Sequence, residues 1–373
     1  MPSEPRSGRV RVSVILPTYN ESQNLPELVP QLVELLREIR HEVIVVDDDS
    51  PDGTWRVAEE LGDRFDEVRL VRRVGRRGLA SAVIEGFLAA KGAVLVAADA
   101  DGQHDFQLLH ELLAAVEGGA GLALASRYVP GGSVGAWDER RHALSRLATR
   151  VAQRLCRVPV ADPMSGFFAV SRPVFAAALP HLNPVGFKIL LDLLVHLPPG
   201  TMVREIPLRF ADRLHGESKL SRLVQLQFIE YIYDVTLGRR VPLTFVKYCA
   251  VGGLGVVVNA AAFLLVSALL GPAAQQTLRG FSIAVLAATE TAIIFNFILN
   301  NAWTFSLARL SGARIVTGFL RYNAACALGA LANYAIGGFL FSRGWPGVAA
   351  AVSGALVGAA WNYTMSRLAT WKL

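Results

Sequence analysis

The stretch Ala93–His104, AVLVAADADGQH, ends an apolar run in two carboxylates one residue apart. Asp99 and Asp101, with Gln103 next, carry oxygens that can meet around one hard divalent cation, Mg²⁺ or Mn²⁺. Val94–Ala97 before them reads as a buried strand. A cation at the C-terminal edge of a parallel sheet lies where α/β proteins bind nucleotides. Two more polar clusters follow apolar runs in the same way, PTYNE after Arg11–Leu16 and VDDDSPDG after Glu42–Val46. Taken singly, each also reads as ordinary loop chemistry, since Asp-rich loops cap helices and Asp52-Gly53 makes a turn. Their weight lies in recurring at successive strand ends.

The elements that must position these clusters alternate. Helical periodicity over Leu25–Arg40, Thr54–Leu61 and Leu79–Lys91 separates short apolar strands at Arg11–Leu16, Glu42–Val46, Val68–Val71 and Val94–Ala97. That order predicts a mostly parallel sheet covered on both faces, with the strand-end loops opening into one cleft. The chain has 373 residues, is 52% hydrophobic and carries a net charge of +6. Its apolar residues concentrate after Val241, so the positive charge points to an anionic membrane surface, the lipid bilayer, and not to nucleic acid. The domains expected are 1–238 and 239–373. Cys156, Cys249 and Cys326 have no metal-ligand spacing and read as packing residues. Arg6, Arg9 and Arg11 precede too short an apolar run for a cleaved signal, and VSVIL reads as a first strand.

PTYNE, VDDDSPDGT, GLASAVIEGF, DADGQH and ASRY together resemble family 2 glycosyltransferases of the GT-A fold. DPMSGFFAVSR, LNPVGFKILLDLL and HGESKLS resemble the polyprenol-phosphate (dolichol-phosphate) mannose synthases among them, and the likeness runs from Val12 to Ser221. It implies an α/β GT-A catalytic domain, Rossmann-like with a mostly parallel sheet, that moves mannose from GDP-mannose to polyprenol (dolichyl) phosphate with inversion. A metal, Mg²⁺ or Mn²⁺, offsets the charge on the departing diphosphate. Asp101 and Gln103 are the first choices as its ligands, with Asp99 on the metal or the sugar nucleotide. By the same likeness Pro17, Tyr19, Glu21, Val46, Asp48 and Ala100 line the nucleotide pocket, and Lys188, Arg213 and Lys219 serve the diphosphate. Arg127, Arg141 and Ser145 hold the lipid phosphate. That phosphate has a second pKa of about 6 and arrives largely deprotonated. The catalytic task reduces to positioning two anions and screening their repulsion, which suits guanidinium groups. Two departures from the family pattern are Gly102 and Asp105-Phe106.

His142–Arg157 carries an apolar face and, at steps of four, Arg146, Arg150 and Arg154, a pattern that fits an interfacial helix over about 140–157. A second is expected over 220–238. Four apolar segments follow, at 243–270, 281–305, 315–341 and 348–368, each long enough for a hydrocarbon core that takes about 20 residues. This half resembles the GtrA-like four-helix membrane family through KYCAVGGLGVVVNAAAFLL. The distribution of arginine and lysine places the catalytic domain and both termini on the cytoplasmic side of the cytoplasmic membrane. Glu290 and Arg321 fall inside spans and are expected to pair, and Asn259, Asn296, Asn333 and Asn362 to bond between helices. The rival readings are a polyprenol-phosphate glucosyltransferase using UDP-glucose, and a lipid-linked-sugar flippase. A processive synthase is disfavoured by the lack of a QxxRW motif.

Overall fold

A computed structural model describes residues 10–133, 139–184, 188–209, 222–238, 240–271, 273, 277–278 and 281–372. Its contacts divide the chain into two units, Met1–Ile232 and Tyr233–Leu373. The division falls six residues before the expected 238, near where the helix over Arg222–Tyr233 passes into a π turn over Asp234–Gly238.

In the first unit, β1 (Val12–Thr18), α1 (Leu25–Leu35), β2 (His41–Asp47), α2 (Thr54–Arg64), β3 (Val68–Arg72), α3 (Leu79–Ala89) and β4 (Val94–Ala97) alternate. Then come α4 (Leu108–Glu117), β5 (Leu122–Ser126), α5 (Glu139–Leu155), β6 (Phe168–Ser171), α6 (Arg172–Ala178), α7 (Ile189–His196), β7 (Val203–Pro207) and α8 (Arg222–Tyr233). The seven strands form one sheet in the order β3-β2-β1-β4-β6-β5-β7. Only β6 runs antiparallel to its neighbours. Side chains alternate across the sheet: Val14 and Leu16 pack under α1 and α4, while Ile15 packs toward α3 and α7. The strands read as continuous apolar runs because both faces are covered. Helix α1 stops at Leu35, short of the expected Arg40, where three-residue bonds (Ile39 N to Leu36 O, 2.8 Å) tighten the chain into a turn before β2.

The second unit contains α9 (Leu243–Leu270), α10 (Ile283–Leu299), α11 (Arg314–Ser342) and α12 (Gly347–Met365). Among the described residues three helical segments, Leu243–Leu270, Ile283–Thr304 and Arg314–Ser342, are long and apolar enough to cross a membrane. The fourth expected span is a helix, α12, but Trp361, Asn362, Tyr363 and Thr364 dilute its apolar character. The expected Glu290–Arg321 ion pair is not formed. Glu290 instead accepts from Asn323 Nδ2 (3.0 Å), and Arg321 donates to the Ala369 carbonyl (3.3 Å). A neutral amide replaces the cation as the partner of the carboxylate.

Candidate active site

The loops after β1 and β2 are joined by side chains. Thr18 Oγ1 donates to Asp47 Oδ2 (3.0 Å), Asn20 N to Ser50 Oγ (3.0 Å) and Glu21 N to Thr54 Oγ1 (2.9 Å). Asn20 takes φ 59°, a left-handed conformation that asparagine tolerates. The aspartates of VDDDSPDG separate by task. Asp47 accepts from Ser50 N (2.9 Å), and Asp52 from Thr54 N (3.0 Å) and Thr54 Oγ1 (2.6 Å), so both shape the loop. Burial pushes the Asp52 carboxyl up, but bonds from Thr54 and Ser22 outweigh it and hold it low.

Asp48 is different. It is buried against Arg73 (NH1 to Oδ1, 2.7 Å) and accepts from Gly78 N (2.7 Å). Arg73 is itself 1% exposed and also donates to Ser81 Oγ (2.6 Å) and the Gly78 carbonyl (3.1 Å). Burial raises the Asp48 carboxyl, with Gly78 and Arg73 opposing. Gly78 sits at φ 145°, a backbone that allows its N–H and carbonyl to serve both partners. Of the expected nucleotide-pocket residues, Val46, Glu21 and Ala100 are buried, and Pro17 and Tyr19 are half-buried. Tyr19 lies under the Arg77 guanidinium, 4.7 Å from its ring centre.

Asp99 and Asp101 follow β4. Asp101 Oδ1 accepts from Gln103 N (3.1 Å) around Gly102, whose φ of 76° makes the turn. Gly102, a departure from the family pattern, thus serves this tight return. His104 is buried, stacked on Phe167 with ring centres 5.2 Å apart, and its Nδ1 lies 3.2 Å from Asp99 N. Burial lowers its pKa and keeps it neutral, the state in which Nδ1 can accept that N–H. The Asp99 carboxylate lies directly over Gly166, where a Cβ would overlap it. Asp99 also lines a cavity with Pro17, Ala97, Gly166, Phe168 and Lys188.

Arg127, at the end of β5, gives its Nε (2.7 Å) and NH2 (2.8 Å) to Asp162, which is fully buried. Burial pulls the guanidinium down, but Asp162 more than restores it, so Arg127 stays charged and rigid. Asp162 is positioned in turn by Glu205 of β7, which accepts from Asp162 N (3.1 Å) and Ala161 N (2.7 Å). Lys188 is pushed down to about 8, by burial first and then by Arg127, with Asp99 and Asp162 opposing. Asp99, Asp162, Arg127 and Lys188 therefore form one electrostatic group.

Arg213 and Lys219 lie outside the described residues, as do the side chains of Arg141 and Ser145 on α5. Arg146, Arg150 and Arg154 are exposed on that helix. Sequence reasoning gave no role to Arg73, Asp162, Gly166 or Glu205. Asp162 and Gly166 stand in the quoted DPMSG run, and Arg73 in an arginine-rich loop, whereas nothing in the sequence marked Glu205. Among the described residues no three His, Cys, Asp or Glu side chains gather into a cation cage. The two carboxylates that follow β4, Asp99 and Asp101, are a donor set that fits a hard divalent cation held by one or two carboxylates and completed by substrate phosphates and water.

Residues 13–178 match the family model Glycosyl transferase family 2, and residues 247–371 match GtrA/DPMS, transmembrane domain. Dolichol-phosphate mannosyltransferase of Pyrococcus furiosus is 36% identical over 365 residues, covering 97% of this chain and 99% of that protein. The chain belongs to the dolichol-phosphate mannosyltransferase family. Polyprenol monophosphomannose synthase of Mycolicibacterium smegmatis is 39% identical over 217 residues, 57% of this chain and 81% of that one. Among solved structures, mannosyl-3-phosphoglycerate synthase from Rubrobacter xylanophilus overlaps 62% of this chain and 74% of its own, at 20% identity and a TM-score of 0.45. This dolichol-phosphate mannosyltransferase family member carries both domains on one chain, and the likeness to the Pyrococcus protein extends through both. It is a glycosyltransferase and a membrane protein.

Proposed function

We propose that this protein transfers mannose from GDP-mannose to the phosphate of a polyprenol, with inversion, yielding polyprenyl phosphate β-mannose and GDP at the cytoplasmic membrane face. The end-to-end likeness to the Pyrococcus protein, through both halves, carries this reading. In the reaction an oxygen of the lipid phosphate attacks the sugar C1 as the bond from C1 to the diphosphate breaks. The acceptor arrives as an anion, so no side chain has to take its proton. Asp99, Asp101 and Gln103 are the residues to hold a divalent cation, Mg²⁺ or Mn²⁺, which when bound offsets charge on the departing GDP. Lys188, with Arg213 and Lys219, serves the diphosphate. Arg127, fixed by Asp162, together with Arg141 and Ser145 meets the acceptor phosphate. Asp48, clamped by Arg73 and Gly78, faces donor groups of the nucleoside, with Pro17, Tyr19, Glu21, Val46 and Ala100 around it. The arginine stripe of α5 rests at the lipid headgroups.

Purified protein given labelled GDP-mannose or UDP-glucose with a short polyprenol phosphate tests the reading. Transfer from GDP-mannose is expected. Transfer from UDP-glucose alone would move the donor assignment to glucose, and no transfer from either would remove the enzyme reading.

A further inference from the structure

The membrane half repeats itself. Residues 245–259 and 319–333 share the pattern F-x-[KR]-Y-x-A-x-x-x-L-G-x-x-x-N, and residues 296–305 and 362–371 share N-[FY]-x-x-[NS]-x-x-x-T-[FW]. The structure repeats with them. Helices α10 and α12 both widen into one π turn at the matching place, Asn300–Thr304 and Ser366–Thr370. Their buried small residues match as well, Ala284 with Ala350, Ala288 with Gly354 and Ala292 with Gly358. In each hairpin a glycine of the first helix lies against an asparagine of the second, Gly255 against Asn296 and Gly329 against Asn362.

The contacts between the hairpins also come in twins. Ser366 Oγ of the second hairpin donates to the Tyr248 hydroxyl of the first (3.3 Å), and Asn300 Nδ2 of the first donates to the Tyr322 hydroxyl of the second (3.4 Å). Tyr248 packs on Tyr363 at 5.7 Å, and its counterpart Tyr322 packs on Phe297 at 5.7 Å. Phe245 meets Tyr363 edge-on at 5.1 Å, and Phe319 meets Phe297 at 5.4 Å. Phe305 and Trp371, which are each other's counterparts, stack on one another at 4.4 Å. When residue i touches j and the counterpart of i touches the counterpart of j, the interface is isologous, the kind formed by two copies around a two-fold axis.

We propose that the membrane half is a homodimer folded into one chain: two copies of one helical hairpin, each presenting the same self-complementary face of tyrosine, aromatic and small polar groups to the other. The partner of each hairpin is the other hairpin, and the covalent link between them is dispensable for pairing. A general apolar bundle needs no such match. Van der Waals and hydrogen-bond complementarity drives helix association where lipid is as apolar as leucine. The copies have diverged at one contact between them: Glu290 of the first hairpin accepts from Asn323 of the second (3.0 Å), whereas their counterparts in the other copy are Leu356 and Cys249.

Two experiments on the full chain test this. A protease site placed within residues 309–313 is cut in detergent-purified protein, with complete cleavage verified on a gel. The C-terminal hairpin is expected to stay with the remainder on size exclusion; its release would overturn the proposal. In the second, Asn300→Ser and Ser366→Asn are measured singly and together by thermal unfolding. Each single change is expected to lower Tm. The exchange should regain at least half of the summed loss, because each tyrosine again faces one amide or hydroxyl across the axis. Losses that simply add would overturn the equivalence of the two positions.

Discussion

In the sheet domain two buried ion pairs frame the candidate site, Arg73 with Asp48 and Arg127 with Asp162. In the membrane half the buried polar groups are amides and hydroxyls that meet their like across a repeat, and Glu290, a carboxylate that reaches between the hairpins, meets the neutral amide of Asn323. The contrast follows from task. A site that brings two anions together needs cations that are already desolvated and fixed, and a buried ion pair supplies them at a cost in stability. A bundle surrounded by hydrocarbon has little to offset an ionised group, so it specifies its partner with neutral hydrogen bonds and close glycine contacts.

The comparison breaks most severely at Asp162. Asp162→Ala leaves Arg127 buried without its counter-charge, and stability of the sheet domain is expected to fall by about 3–5 kcal/mol in denaturant unfolding. The helical signal of the membrane half should hold at that denaturant concentration. If both halves melt together, they are not the separate cooperative units that the contrast requires. Gly166→Ala is a smaller and purely positional insult. Its methyl would displace the Asp99 carboxylate, and kcat is expected to drop by about 10²-fold with Tm within a few degrees of the parent. A larger fall in Tm than in kcat would reduce Gly166 to a packing residue.

Lys188 sharpens the comparison through pH. Its pKa is lowered to about 8, so its charge in the free enzyme is lost as pH rises through that value. The KM for GDP-mannose is then expected to rise about tenfold by pH 9, the worth of one charged hydrogen bond. Lys188→Arg should flatten that rise, because a guanidinium stays protonated. An unchanged pH profile in the variant would remove Lys188 from the donor site. The smallest effect belongs to the membrane half. Gly329→Ala crowds Asn362 and is expected to lower Tm by a few degrees while leaving transfer per folded molecule within about twofold of the parent, since no charge is disturbed.

Much of the sheet domain was legible because its signals are local. Apolar runs of four to seven residues ending in PTYNE, VDDDS and DADGQ placed β1, β2 and β4, and their order placed the loops on one edge. The partners that fix the site were not legible, because pairing across the fold leaves no mark in sequence spacing. Arg73, 25 residues on in the loop after β3, reaches back to Asp48, and Glu205 of β7, 43 residues on, reaches across to Asp162. In VDDDSPDG the aspartates separate by partner, with Asp47 and Asp52 in the turn and Asp48 in the ion pair, a division that their adjacency in sequence does not mark. The hairpin repeat was present in the sequence but hidden. Its kept residues are scattered through apolar helices whose other positions only have to suit lipid. Charge alone points Glu290 to Arg321, but which neighbour reaches the carboxylate depends on helix packing, and there Asn323 is the partner.

The claim that the charged edge of the sheet performs the transfer is tested most directly at Asp101. Full-length protein and its Asp101→Ala variant, reconstituted in lipid vesicles with a short polyprenol phosphate, are given labelled GDP-mannose and assayed for lipid-bound label. The parent is expected to transfer mannose. The variant, still folded and inserted, should fall by about 10²–10³-fold or more, as when a group stabilising transition-state charge is removed. An Asp101→Ala protein that keeps a tenth or more of the parent's activity would contradict the account.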